Sequence, residues 1–214
     1  MIEAVKARLA LVREKVARIR NPDEIVIVAV TKGFGADTCR AALAAGLNVL
    51  GENRVHEAVL KMDEVPDAEW HLIGHLQTNK VRQAAGRFAL IHSVDSVRLA
   101  TEIARVEAKQ AVLLEINVAR EPQKHGADPD RAQDAIKEIA SFLELRGLMA
   151  MGPSQGDPAP AFRELKQMRD EAEQRLGKSL PVLSMGMSGD FEVAVAEGST
   201  MLRLGQALFG PRPS

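Results

Sequence analysis

Eight short apolar runs alternate with amphipathic stretches along this chain, and that alternation restricts the fold more than any other feature. The first run, Ile25-Val-Ile-Val-Ala-Val30, is continuously apolar and rich in β-branched residues. That is the pattern of a strand buried on both faces of a parallel sheet. Further runs of strand type follow at 48–50, 70–73, 90–92, 111–117, 145–150, 182–184 and 201–204. Helical stretches fill most of the intervals, at 36–45, 53–62, 95–108, 129–143, 159–176 and 189–197. Strands and helices in this order predict an α/β fold, a (β/α)8 barrel of the TIM type. An open doubly wound sheet is the competing arrangement. Its dinucleotide fingerprint is missing, because Gly33-Phe-Gly35-Ala-Asp-Thr after the first run lacks a third glycine. Ahead of the barrel, Ile2, Val5, Leu9, Val12, Val16 and Ile19 stand at spacings of three and four. They predict an extra N-terminal helix with one apolar face, ended by Asn21-Pro22.

The chain of 214 residues suits a single barrel domain over 1–214. Its 46% hydrophobic and 27% charged residues are globular proportions. The only loop-rich stretch, 152–160, is too short for a domain linker. The formal net charge of −1 provides no global pull toward nucleic acid or an acidic membrane. No apolar run is long enough to cross a bilayer, and the N-terminus has no apolar signal core. The single cysteine, Cys39, rules out a disulfide framework within the chain, so a reducing cytoplasm is expected. Nothing near Cys39 in sequence activates a thiolate, and a buried structural cysteine is expected there. The chain contains no tyrosine, so no reaction step can use a phenolic acid or base of its own.

Several residues fall where a barrel does chemistry. Lys32 directly follows the first strand, at the end of the barrel that carries active sites. A partly desolvated lysine there can attack a carbonyl; an exposed loop lysine is the plainer reading. Leu183-Ser184-Met-Gly186-Met187-Ser188-Gly189-Asp190 reads as strand, small-residue loop and helix start, with Ser188 as N-cap. Free N–H groups and a hydroxyl at such a helix start form an anion site. Barrels often bind phosphate between the loops after strands seven and eight, and the eighth strand here runs into Gly205-Gln206. Ordinary capping and a tight turn explain the same residues. A nucleophile elbow does not, because no glycine stands two residues after Ser188. In Met201-Leu-Arg-Leu204 the two leucines face the helices, which turns Arg203 inward, where it needs an acid or a ligand heteroatom as partner. Asn53 and Gln77 follow the second and third strands as possible ring-binding groups or turn residues. His71 and His75 are four apart, but no carboxylate or cysteine cluster accompanies them, so no metal centre is expected.

Together these segments closely resemble the YggS-like pyridoxal phosphate homeostasis protein family, which is related to the N-terminal domain of alanine racemase. The matching stretches are VAVTKG (28–33), LGENRVHE (50–57), WHLIGHLQTNK (70–80), LLEINVAREPQKHG (113–126), RGLMAM (146–151) and LSMGMSGDFEVAVAEGSTMLRLGQALFG (183–210), in order over nearly the whole chain. The resemblance implies the fold type III barrel of pyridoxal 5′-phosphate (PLP) proteins, without the second β domain of alanine racemase. It implies PLP as cofactor, an aldimine on Lys32, and phosphate binding by Ser188 and the backbone around Gly205 and Gln206. It also implies that Asn53 and Met187 line the pocket and that Arg203 lies near the pyridine nitrogen. Lys124 matches a basic loop position near the cofactor entrance. The chain departs from the family at Gly33-Phe34-Gly35, at Gln206 in place of a threonine or serine, and at its last residues.

PLP acts as an electron sink best with its ring nitrogen protonated. An arginine beside that nitrogen disfavours the protonated form. With no tyrosine as second base, the residues point to a non-catalytic cytoplasmic protein that binds, stores or delivers PLP. PLP-dependent apoenzymes are its expected recipients, a monomer its expected state, and neither nucleic acid nor membrane a partner. A weak alanine-racemase-like activity, and a Schiff-base aldolase without PLP, are the alternatives.

Overall fold

The computed structural model describes residues 1–211; residues 212–214 of the expected 1–214 domain lie outside the described residues. Its strands close into a parallel barrel in sequence order, which excludes the open doubly wound sheet. They are β1 (Val26–Val30), β2 (Val49–Glu52), β3 (Glu69–Leu72), β4 (Leu90–Val94), β5 (Ala111–Glu115), β6 (Glu144–Met149), β7 (Val182–Ser184) and β8 (Met201–Leu204). The helices are α1 (Ile2–Ala17), α2 (Ala36–Ala44), α3 (Val55–Glu64), α4 (Val81–Ala84), α5 (Val97–Val106), α6 (Ala132–Ala140), α7 (Ala159–Leu176), α8 (Phe191–Ala196) and α9 (Gln206–Phe209).

Period-2 alternation in the strands sorts side chains into two compartments. Leu50, Leu72, Ile91, Leu114, Leu148 and Leu202 face outward into the large core beneath the helices. Val28, Leu90, Leu113, Met149 and Met201 form a second, smaller core inside the barrel. As the leucine pattern of β8 predicts, Leu202 and Leu204 pack outward, and Arg203 pairs in register with inward-facing Val28.

The boundaries differ from the sequence expectation where local chemistry intervenes. The strand expected over 111–117 stops at Glu115, because Ile116 makes only an isolated bridge with Ala127. The N-terminal helix ends at Ala17, and of its expected apolar face Val5, Leu9, Val12 and Val16 are buried whereas Ile2 and Ile19 are exposed. Helices α4 and α9 have four residues each, too short for periodicity to reveal.

Candidate functional site

The C-terminal ends of β7, β8, β1 and β2 are neighbours in the barrel, and the sequence-predicted residues gather there. Lys32 lies two residues past β1, half-buried, and lines a cleft of about 360 Å³ with Phe34, Gly205 and Gln206. A second cleft of about 280 Å³ joins Lys32 to Asn53, Arg54 and Glu57. The backbone entering Lys32 is anchored by a buried acid. Thr31 Oγ1 donates to Glu52 Oε1 at 2.6 Å, and Lys61 Nζ donates to the same oxygen at 2.7 Å and to Thr31 O at 3.0 Å. Glu52 is fully buried, and Lys61 supplies the opposite charge that such burial requires. Asn53 sits directly on the chain leaving β3: a Cβ on Gly74 would lie 2.6 Å from Asn53 Cα, so only glycine permits that approach.

The loop after β7 is built differently from the expectation. Ser188 is not the N-cap of the following helix, which starts at Phe191 behind Asp190. Asp190 Oδ1 accepts from Met187 N at 2.6 Å, and Ser188 Oγ accepts from Ala207 N at 3.0 Å across to the loop after β8. A hydroxyl that accepts one bond still has its proton to donate, so Ser188 ties the two loops and keeps one donor for an anion. Gly186 turns the chain out of β7 at φ +98°, and a Cβ there would lie 2.6 Å from that of Ala194. Met187 is exposed at the edge of this loop.

Arg203 is buried inside the barrel, as predicted, and its side-chain partners are hydroxyl and carbonyl oxygens of the barrel, not an acid. Its Nη1 donates to Ser184 O and Ser184 Oγ, both at 2.7 Å, and Nη2 donates to Ala150 O at 2.9 Å. These bonds use the two terminal nitrogens and fix the guanidinium plane without engaging Nε. Burial pushes Arg203 down to about 10, against the opposing influence of Glu115 and Asp190, so it stays charged at neutral pH.

A polar chain continues from Arg203 through the barrel interior. Ser184 Oγ lies 2.9 Å from His92 Nδ1, His92 Nε2 lies 3.0 Å from His71 Nδ1, and His71 Nε2 lies 2.9 Å from Glu69 Oε1. The end point sets every direction. Glu69 is a half-exposed carboxylate and can only accept, so His71 Nε2 carries a proton. Burial lowers the pKa of both histidines, in His71 against the pull of Glu69 and in His92 with Arg203 adding to the effect. Neutral His71 therefore accepts at Nδ1 from His92 Nε2, and His92 accepts at Nδ1 from the Ser184 hydroxyl. This assignment satisfies all five groups from Arg203 to Glu69.

Sequence reasoning missed this chain, although a period-2 count places His71, His92 and Ser184 on the inward register of their strands. It treated His71 and His75 as a pair, whereas His71 lies inside the barrel and His75 on the exposed rim beyond β3. It also missed Glu115, a buried acid that ends β5. Burial pushes its carboxyl up to about 7, with Arg203 opposing and Asp95 adding to the rise. Lys124 is tied down: its Nζ donates to Gly152 O at 2.6 Å and Glu121 Oε1 at 3.0 Å. Cys39 is buried, and burial raises its thiol pKa, in line with a structural role.

The family described as alanine racemase, N-terminal domain, matches residues 2–213. Proteins named pyridoxal phosphate homeostasis protein are 38% identical in Aquifex aeolicus, covering 96% of this chain and 97% of that one, and 41% identical in Deinococcus radiodurans, covering 96% and 99%. The structure of PipY from Synechococcus elongatus with PLP bound is 35% identical, with a TM-score of 0.86, covering 96% of this chain and 100% of that one. Alanine racemase from Corynebacterium glutamicum, 15% identical with a TM-score of 0.80, shares the fold over 62% of its own length. This chain belongs to the alanine racemase N-terminal-domain family and, within it, to the pyridoxal phosphate homeostasis proteins.

Proposed function

We propose that this chain binds PLP through Lys32 and works in PLP homeostasis, as a cytoplasmic monomer that stores, buffers or delivers the cofactor with little turnover. The observation that carries the reading is one cleft holding Lys32 beside Gly205 and Gln206, with Asn53 across a second cleft from the same lysine. The residues fit the group. Lys32 supplies a primary amine that condenses with an aldehyde with loss of water. The Ser188 hydroxyl and the backbone N–H groups of Gly205 and Gln206, ahead of the Ala207 N that Ser188 already accepts from, supply donors to a phosphate. Arg203 supplies a buried positive charge among the ends of β6, β7 and β8. PLP, when bound, supplies an electron sink whose strength depends on protonation of its ring nitrogen. Arg203 is already protonated, so it cannot take up a further proton and disfavours a second positive charge beside it; a ring nitrogen next to it would stay unprotonated. With no tyrosine in the chain, the residues available favour holding and releasing PLP over turning over amino acids.

The full-length chain mixed with PLP should develop the visible absorption of a Schiff base, and Lys32→Ala should abolish it. A parent chain that stays colourless refutes the reading. With single amino-acid enantiomers, exchange of the α-proton should remain slow; sustained turnover at about 1 s⁻¹, an ordinary enzymatic rate, contradicts the low-turnover role.

Ser188→Ala should weaken PLP retention by about 1–2 kcal/mol, the scale of a charge-assisted hydrogen bond. Equilibrium dialysis against PLP measures this, and an unchanged affinity removes Ser188 from the phosphate site.

A further inference from the structure

We propose that His75, Asp95 and His125 form a binding site for a borderline divalent cation of the Zn²⁺ class, on the rim formed by the loops after β3, β4 and β5. One donor atom from each residue lies within 4.8 Å of the other two. His75 Nδ1 is 3.4 Å from Asp95 Oδ2, and the His75 and His125 rings stack with centroids 4.0 Å apart. A tetrahedral ion with ligand bonds of about 2.0–2.1 Å holds its ligand atoms about 3.3 Å apart. The His75–Asp95 pair already has that spacing. The donor of His125 lies within 4.8 Å of the other two on an exposed side chain, so closing the triad asks the ring to turn out of its stack on His75.

The backbone under all three donors is pinned. Gly74 O, just before His75, accepts from Ser93 Oγ at 2.6 Å. Ser96 Oγ donates to Asp95 Oδ1 at 2.9 Å and accepts from Leu99 N at 3.3 Å, which ties Asp95 to the start of α5. Oδ1 is thus held by Ser96 while Oδ2 faces His75, the arrangement in which an outer partner orients a metal-binding carboxylate. The loop carrying His125 is closed on one side by Ala127 N donating to Glu115 O at 2.7 Å. It is closed on the other by Lys124 bonded to Gly152 O. The structural task of Lys124 is therefore to fix the neighbour of a candidate ligand.

The donor set decides the class of ion. Two imidazoles and one carboxylate suit Zn²⁺, Co²⁺ or Ni²⁺, whereas Mg²⁺ and Ca²⁺ require oxygen donors. Three protein ligands leave a fourth position for an exchangeable water. The site was hidden in the sequence because its ligands sit on three successive loops, with spacings of 20 between His75 and Asp95 and 30 between Asp95 and His125. It stands on its own geometry and does not depend on the PLP reading.

Calorimetric titration of the full-length chain with ZnCl₂, and separately with MgCl₂, tests the proposal, with Co²⁺ visible absorption as a geometric reporter. The expected result is one Zn²⁺ per chain, no Mg²⁺ binding, and intense Co²⁺ bands of a four-coordinate site. His75→Ala, Asp95→Asn and His125→Ala should each weaken Zn²⁺ binding by about tenfold or more, since loss of an outer-shell partner alone costs about 10–100-fold. Asp95→Asn keeps an acceptor for Ser96 and so isolates the ligating charge. Melting curves in chelator should match the parent chain, because all three side chains are at least partly exposed. Lowering the pH through the imidazole range should release the ion. No saturable Zn²⁺ binding, equal binding of Mg²⁺, or affinity unchanged in the three variants overturns the proposal.

Discussion

Arg203→Met is expected to destabilise the barrel by about 3 kcal/mol, the scale for removing a buried charged donor from its acceptors. The guanidinium holds three acceptors at once, Ser184 O, Ser184 Oγ and Ala150 O. Ser184 O keeps a second bond, from Ala150 N at 3.1 Å, so the main orphan is the buried carbonyl of Ala150. Methionine fills much of the volume and limits the cavity contribution. Arg203→Lys keeps the charge but not the fork, and should lose less. Urea unfolding at constant pH measures both, and a loss below about 1 kcal/mol for Arg203→Met would contradict the network as described. The same substitution removes the positive charge that opposes the rise at Glu115, so that carboxyl should titrate still higher.

Glu115→Gln is expected to remove a stability penalty of about 3 kcal/mol at pH 8, from a shift of the carboxyl from 4.5 to about 7. Below pH 4.5 the carboxyl is protonated in both folded and unfolded chains and contributes no pH dependence. Between 4.5 and about 7 the unfolded chain releases the proton while the folded chain keeps it, so stability falls as pH rises. Above about 7 the loss is complete. His71 and His92 act oppositely: their lowered pKa values make stability fall as pH drops below the ordinary histidine range. The difference between parent and variant cancels the histidines. Unfolding at pH 5 and pH 8 should therefore show Glu115→Gln gaining on the parent at pH 8 and little at pH 5. An equal effect at both pH values would mean that Glu115 ionises normally in the folded chain.

The barrel was legible in the sequence because its determinants are local. The β-branched run Ile25–Val30 reads as a doubly covered strand, which the structure gives over Val26–Val30 with Val28, Ala29 and Val30 buried and Val26 exposed, and the leucines at 202 and 204 set which way Arg203 points. Lys32, Gly205 and Gln206 stand out as candidates because strand ends carry them, and they line one cleft. What stayed hidden depends on contacts between distant segments. Ser188 looked like a cap, yet its hydroxyl oxygen accepts from Ala207 N, on a different loop, instead of from its own helix. No sequence pattern shows that Ser184 and the Ala150 carbonyl converge on Arg203 inside the barrel, so these partners were not among those expected. The shift at Glu115 follows from burial of a strand-terminal acid, and strand ends in sequence carry no mark of how deeply they are covered.

Borohydride reduction of the PLP-loaded chain, followed by peptide mass mapping, shows directly whether Lys32 carries the cofactor. The expected result is one reduced pyridoxyl adduct per chain, confined to the peptide containing Lys32, with loss of the visible absorption on reduction. An adduct absent from Lys32, or spread over exposed lysines such as Lys6 and Lys15, would contradict it.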